Sequence, residues 1–285
     1  MESSHEFIKK KSTLLALVVS TLFLAAYLPV LQILVRLWLA SEEYSHAFLT
    51  LPIIFFIVWR KRPVLADQPV RNSTVGLVLL VICVPIYLFA LMTKVNTVIE
   101  LSMYVTIIGS IMYLAGVTAV KELITPLILL LMLIPVPNQL YIKLTFPLQL
   151  KVSQISEVVV RTFGVPIFRE GNVMNLPYKS FEVVEACSGL RSVISMLTLS
   201  VIAGYFMLKK FASKVILFVA AVPTAIIVNV IRVVTLILMW HYVRLDLTKG
   251  TWHKVTGLLI FLIALLILFL LMKVLNAWET KSKSS

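Results

Sequence analysis

Residues 255–272 read VTGLLIFLIALLILFLLM, a charge-free run closed on its two sides by Lys254 and Lys273. About 20 apolar residues in a helix match the roughly 30 Å hydrocarbon thickness of a bilayer. The run is one of a series. Apolar blocks also occupy roughly 14–36, 46–59, 75–93, 98–117, 121–136, 188–208 and 214–240, and with the quoted block, at roughly 254–275, they make about eight. The whole chain agrees: 285 residues, 60% hydrophobic and 14% charged, with a mean hydropathy of +1.00. A soluble domain carries about a quarter charged residues. These observations predict a single integral membrane domain over 1–285, an all-α polytopic membrane protein of about eight transmembrane helices. No repeat period stands out.

The formal net charge is +13, which raises the question of nucleic acid. The basic residues sit in short runs at the ends of apolar blocks rather than on one soluble face, and no nucleic-acid-binding module is visible. The positive-inside rule explains the pattern. It places Lys9–Lys11, Arg60–Arg62, Arg71, Lys121, Lys209, Lys210, Lys214 and the tail with Lys281 and Lys283 on the cytoplasmic side, so both termini are expected inside. Glu42, Glu43, Lys94, Arg244 and Asp246 then fall outside, in the periplasm of a Gram-negative cell. The first block follows three lysines as a signal peptide would, but it is long and lacks a small-residue cleavage site, so it reads as an uncleaved first span. The two cysteines, Cys83 inside one block and Cys187 at the edge of another, do not suit a bridge, and no Cys/His spacing suits a metal.

The stretch from about 137 to 187 departs from this pattern and is expected as a periplasmic surface insert before the sixth span. Leu140 to Phe163 mixes apolar residues with Lys143, Lys151, Glu157 and Arg161, the composition of one or two amphipathic helices on the outer membrane surface. Pro147 is expected to break or bend this segment. Short strands are expected at Val165–Arg169, Val173–Leu176 and Phe181–Glu185, with turns at Gly171-Asn172 and Pro177-Tyr178. This β-hairpin element delivers the chain to Cys187.

Three features could carry chemistry. In EACSGLRS, residues 185–192, a thiol stands where a strand meets a helix. Free amides and the dipole at a helix start favour a thiolate, and the same amides can hold an oxyanion. The competing reading is a packed cysteine, which is the whole reading for Cys83. In NVIR, residues 229–232, an arginine lies inside an apolar block, where charge is costly and by default functional. Asn229 and Arg232 share a helix face, and Arg232 lies roughly 12 Å below Trp240 at helical rise; a structural ion pair or snorkelling is the alternative. His253 stands at the outer mouth of the eighth span, and a lone loop histidine is ordinarily unremarkable. Taken together, Cys187, Arg232 and His253 open the outer ends of three consecutive spans, where a Cys–His pair and a cation suit acyl transfer. His46, in YSHAF at the outer face, is a substrate-contacting or supporting candidate.

The ACSGLRS run at 186–192, NVIR at 229–232, His253 with Gly257, and YSHAFLTLP with WRKR across 44–62 resemble the exosortase/archaeosortase family. That resemblance implies a membrane cysteine transpeptidase with Cys187, Arg232 and His253 as its catalytic residues and no cofactor. It further implies exported substrates whose C-terminal signal combines a Pro-Glu-Pro-like motif, a transmembrane helix and a basic tail, in a system coupled to exopolysaccharide and biofilm. Any soluble accessory domain would be a separate periplasmic protein. Glu185, Ser188, Arg191 and Asn229 are candidates for substrate contact or support. The rival from a different class is a non-catalytic transporter or polysaccharide-export component, which a broken mid-membrane helix and an inverted repeat would favour.

Overall fold

The computed structural model describes residues 2–40, 44, 46–67, 73–183, 190–248 and 250–281, with only the backbone described at 2–16, 19, 190–192, 250–251 and 253–254. It is 83% helical, as an all-α membrane protein should be. Among the described residues, five helical segments are long and apolar enough to cross a membrane: Ser20–Ala40, Thr74–Thr93, Asn96–Glu122, Phe211–Val243 and Val255–Lys281. The eighteen-residue run 255–272 lies inside the last. Of the remaining expected spans, Val193–Met207 is a shorter apolar helix. The block at 121–136 contains a helix of nine residues, roughly 13 Å of rise, less than half the hydrocarbon thickness.

The chain forms two compact units, 1–136 and 137–285. The first holds α1 (Glu2–Ala40), α2 (Ala47–Ala66), α3 (Thr74–Thr93), α4 (Asn96–Glu122) and α5 (Ile124–Met132). Its lipid-compatible outside is apolar: Leu22 and Phe89 are more than 60% exposed. Its polar side chains turn inward. The Tyr27 hydroxyl lies 3.0 Å from Thr106 Oγ1, Trp38 Nε1 donates to the Leu133 carbonyl, and Tyr104 donates to the Leu127 carbonyl. Lys61 pairs with Glu122 at 2.6 Å and ties the end of α2 to the end of α4.

Two features of α4 come from glycine. Gly116 has φ 86 and ψ 173, a conformation closed to other residues, and it kinks the helix. Gly109 and Gly76 let α3 and α4 pack backbone to backbone. A Cβ on Gly76 would stand 2.5 Å from the Tyr113 nitrogen and 2.9 Å from the Gly109 carbonyl oxygen. Close approach at small residues is a main source of helix association in lipid.

The second unit opens with α6 (Asn138–Thr162), a single helix that runs through Pro147 without a break. Its faces are inverted relative to a helix lying against water. Thr145, Gln149, Ser153 and Ser156 are buried, while Leu140, Ile142, Phe146 and Val158 are exposed. Ser153 donates to the Gly171 carbonyl. Gly164, at φ 75, ends the helix in a left-handed cap. A three-stranded antiparallel sheet follows: β1 (Phe168–Glu170), β2 (Val173–Leu176) and β3 (Lys179–Glu182). Phe168 stands opposite Asn175, and Met174 opposite Phe181. The turns fall at Gly171-Asn172 and Pro177-Tyr178. Met174, Phe181, Val183, Val152, Val160 and Ile237 share one core, so the sheet is packed on α6 and on the end of α8.

α7 (Leu190–Met207), α8 (Phe211–Leu238) and α9 (Gly250–Lys281) pack on one another. At the end remote from the sheet, Glu279 of α9 accepts hydrogen bonds from the Lys209 and Lys210 amides, both 2.9 Å long. Those amides open α8, whose own N-cap side chain makes no cap bond. Glu279 is 5% exposed, so a helix start that would otherwise be unsatisfied is capped from a neighbouring helix.

The two helix pairs predict opposite responses to one added methyl group. Gly76→Ala is expected to destabilise the protein by about 1–3 kcal/mol, the usual cost of overpacking, because backbone atoms must move. Gly204→Ala, whose Cβ would meet only the Lys214 side chain and main chain at 3.5 Å or more, is expected to be neutral or stabilising by up to about 1 kcal/mol through helix propensity. Thermal unfolding of the two variants in detergent, side by side, checks the pair.

Candidate active site

The sheet end of the second unit is where α7 begins, α8 ends and α9 begins. Val183 leaves the sheet with its amide bonded to the Asn172 carbonyl at 2.9 Å and its side chain 2% exposed, and α7 resumes at Leu190. Glu185, Cys187 and Ser188 lie between, outside the described residues. Arg191 falls in the first turn of α7 and His253 in the first turn of α9, each described by its backbone. Cys187 is therefore fixed in sequence between a buried strand end and the helix start three residues on.

Asn229 and Arg232 are described in full. Asn229 is 3% exposed on α8, and Arg232, one turn on, is half-buried. They line a small cavity of about 30 Å³ with Met196 of α7 and Gly257 and Phe261 of α9. A Cβ on Gly257 would lie 3.8 Å from Arg232 Nη2, so the guanidinium reaches across to α9 at Gly257. Gly257 and His253 are four residues apart on one helix, hence on one face and roughly 6 Å apart along the axis. The structure thus brings Arg232 and Asn229 to the α9 face that carries His253, at a meeting point of all three helices. A cation in this position can stabilise a thiolate or an oxyanion formed above it.

His46 belongs to the first unit. Its carbonyl accepts from the Leu49 and Thr50 amides and the Thr50 hydroxyl, so it opens α2. Its ring lies beside Tyr44 at 6.2 Å, and Tyr44 accepts from the Val136 amide. These contacts place His46 at the start of α2, beside Tyr44.

The sequence reading passed over a cluster at the sheet end. Lys179, the first residue of β3, pairs with Asp246 at 2.7 Å, the two side chains being 20% and 31% exposed. Its ammonium also stands over Trp240, 4.1 Å from the ring centroid, and near Phe181 at 4.9 Å. Trp240 lies in a π-helical turn, Met239–Val243, that ends α8 and is closed by Leu245 N to Met239 O. Asp246 in turn accepts from the Thr248 amide and hydroxyl. Glu100, 3% exposed within α4, was also passed over; an acid inside an apolar block was the available signal for it.

Lys179 and Thr248 hold the Asp246 carboxyl well below the usual carboxylate range, against the opposing effect of burial. A depressed folded-state value stabilises the fold above the unfolded value, about 3.9 for aspartate, and that contribution disappears as pH falls through the folded value. The stability owed to this pair is therefore expected to be constant at neutral pH and to be lost only below about pH 4. In Asp246→Asn the corresponding acid-side slope of unfolding temperature should be shallower than in wild type between about pH 4 and pH 2. Equal slopes would show that the pair contributes nothing to folding.

A family model for transmembrane exosortases matches residues 38–270. Neither the curated proteins nor the solved structures give a match. The match runs from the end of α1 through most of α9 and includes the sheet, Cys187, Arg232 and His253. The chain belongs to the transmembrane exosortase family.

Proposed function

We propose that the second unit is a cysteine transpeptidase that cleaves the C-terminal sorting signal of exported proteins, with Cys187 as nucleophile. The observation that carries this reading is the position of Arg232, held beside Gly257 on the α9 face of His253, at the end of the unit where the Cys187 segment enters α7. Family membership supports the same role.

In this mechanism the Cys187 thiolate attacks the carbonyl carbon of the scissile peptide, and Arg232 stabilises the thiolate or the oxyanion that follows. The C–N bond breaks, His253 protonates the departing amine, and the acyl group remains as a thioester on Cys187. An acceptor nucleophile, an amine or water, gives up a proton to His253 and attacks the thioester, which releases product and restores the thiolate. Asn229 fixes Arg232 from the same helix face. Arg191, Ser188 and Glu185 stand within four residues of Cys187 in sequence and are assigned to substrate contact or support.

The basic runs at the helix ends support an inner-membrane protein with cytoplasmic termini and a periplasmic site. Eight crossings would require α2 and α7 to span as well, with α6, whose exposed face is apolar, in place of the short α5. The proposed substrates carry a Pro-Glu-Pro-like motif, a transmembrane helix and a basic tail, and serve exopolysaccharide and biofilm assembly, with a separate periplasmic protein as accessory.

Intact mass of the substrate C-terminus, after incubation with purified enzyme in lipid, tests the proposal. Wild-type protein is expected to shorten a cognate substrate and to yield a hydroxylamine-sensitive adduct on Cys187. Cys187→Ala should give neither. Arg232→Lys should slow processing by about 10²-fold, the usual loss for one oxyanion donor. Processing that survives in Cys187→Ala would end the cysteine reading.

A further inference from the structure

Three chain segments approach the candidate site, and one ammonium touches all three. The first leaves β3 for Cys187. The second is the end of α8, which carries Arg232. The third is the loop that leads into α9 and His253. Lys179 starts β3, stacks over Trp240 at the end of α8 and pairs with Asp246 in the loop. We propose that Lys179 and Asp246 are a positioning pair that sets the separation of Cys187 and His253. This rests on the reading of those two residues as nucleophile and proton-transfer partner.

The tethers that run from the pair are short and anchored. Seven residues lie between Lys179 and Cys187, and along them Phe181 and Val183 are 7% and 2% exposed in the core. Six residues lie between Asp246 and His253; Leu247 is 6% exposed in the same core, and Thr248 is bonded to Asp246 by amide and hydroxyl. A side chain at the junction therefore fixes where both tethers begin. A cation suits it: one positive charge can meet a carboxylate and two ring faces together. The π-helical turn contributes by placing Trp240 under that charge, and such turns recur at functional sites. Neither Lys179 nor Asp246 takes part in the transfer itself, so their effect on chemistry passes through geometry.

The test uses the full chain in lipid with Cys83→Ala, which leaves Cys187 as its single thiol. The first readout is spin-label distance between Cys187 and a second label introduced by His253→Cys. The distribution is expected to be narrow with the pair intact, to broaden or shift in both Lys179→Met and Asp246→Asn, and to narrow again in Lys179→Arg. The second readout, with His253 present, is the pH dependence of Cys187 alkylation by iodoacetamide. Lys179→Met and Asp246→Asn remove opposite charges, so a through-space field would move the inflection in opposite directions. A positioning pair moves both the same way, upward, and slows alkylation at neutral pH by roughly tenfold through a smaller thiolate fraction. The double variant should go no further than the worse single one. Gly76→Ala, which destabilises the protein through the α3–α4 contact of the first unit, should lower the unfolding temperature and leave both readouts unchanged.

Opposite shifts, or an unchanged distance distribution in variants that remain folded, would overturn the proposal. Failure of the cysteine reading itself would appear elsewhere, as substrate processing that persists in Cys187→Ala, and the distance measurement stands apart from that outcome.

Discussion

In a bilayer, a helix gains nothing by turning a leucine from lipid to a neighbouring leucine, so polar groups and close backbone contact decide which faces meet. The protein is arranged accordingly. Tyr27, Trp38, Tyr104 and Glu279 each reach a hydroxyl or main-chain group on another segment, while Leu22, Phe89 and Val158 point outward. α6 is the plainest case, with threonine, glutamine and serine on its buried face. A polar group left unpartnered in hydrocarbon costs several kcal/mol, so each inward bond also fixes the rotation of the helix that makes it.

The same constraint concentrates charge at the sheet end of the second unit. There the core stops being purely helical: Met174, Phe181 and Val183 from the sheet join Val152, Val160 and Ile237 from the helices. Charged groups become affordable where this cap meets polar surroundings, and Glu157 bonds both Arg161 and Arg169. Arg232 lies below the cap, on the helix between the two that carry the other candidate residues. A Cβ added at Gly257 of α9 would stand 3.8 Å from Arg232 Nη2, an ordinary van der Waals contact, so the guanidinium lies against α9 at that position.

Membrane character could be read from sequence because it depends on composition over long windows, and 255–272 alone nearly establishes it. Helix ends and faces could not. The blocks at 98–117 and 121–136 could be told apart, but not that α4 runs on past its kink at Gly116 to Glu122 and leaves α5 only nine residues. In α6, Lys143 and Lys151 mark an amphipathic helix, while the direction of its serines and threonines is settled only by what packs against them. Pro147 sits within it unbroken. The turn residues at 171–172 and 177–178 are local chemistry and were readable. Asn229 and Arg232 stood out through their cost in an apolar helix, whereas the approach of Arg232 to Gly257 and the pairing of Lys179 with Asp246 join distant positions, and no local pattern announces them.

The capping of α8 by Glu279 has a mechanical side. Two backbone amides hold the C-terminal end of α9, so the helix can tilt about that point more readily than it can slide. With 32 residues, roughly 48 Å of helical rise, α9 then works as a lever whose fulcrum is a carboxylate. A tilt of about one degree displaces its N-terminal end by roughly 0.8 Å at that length, and His253 rides within one turn of that end. Misplacement by about 1 Å can cost a catalytic site about a hundredfold in rate. The far end of α9 therefore needs a second fastening near its tip.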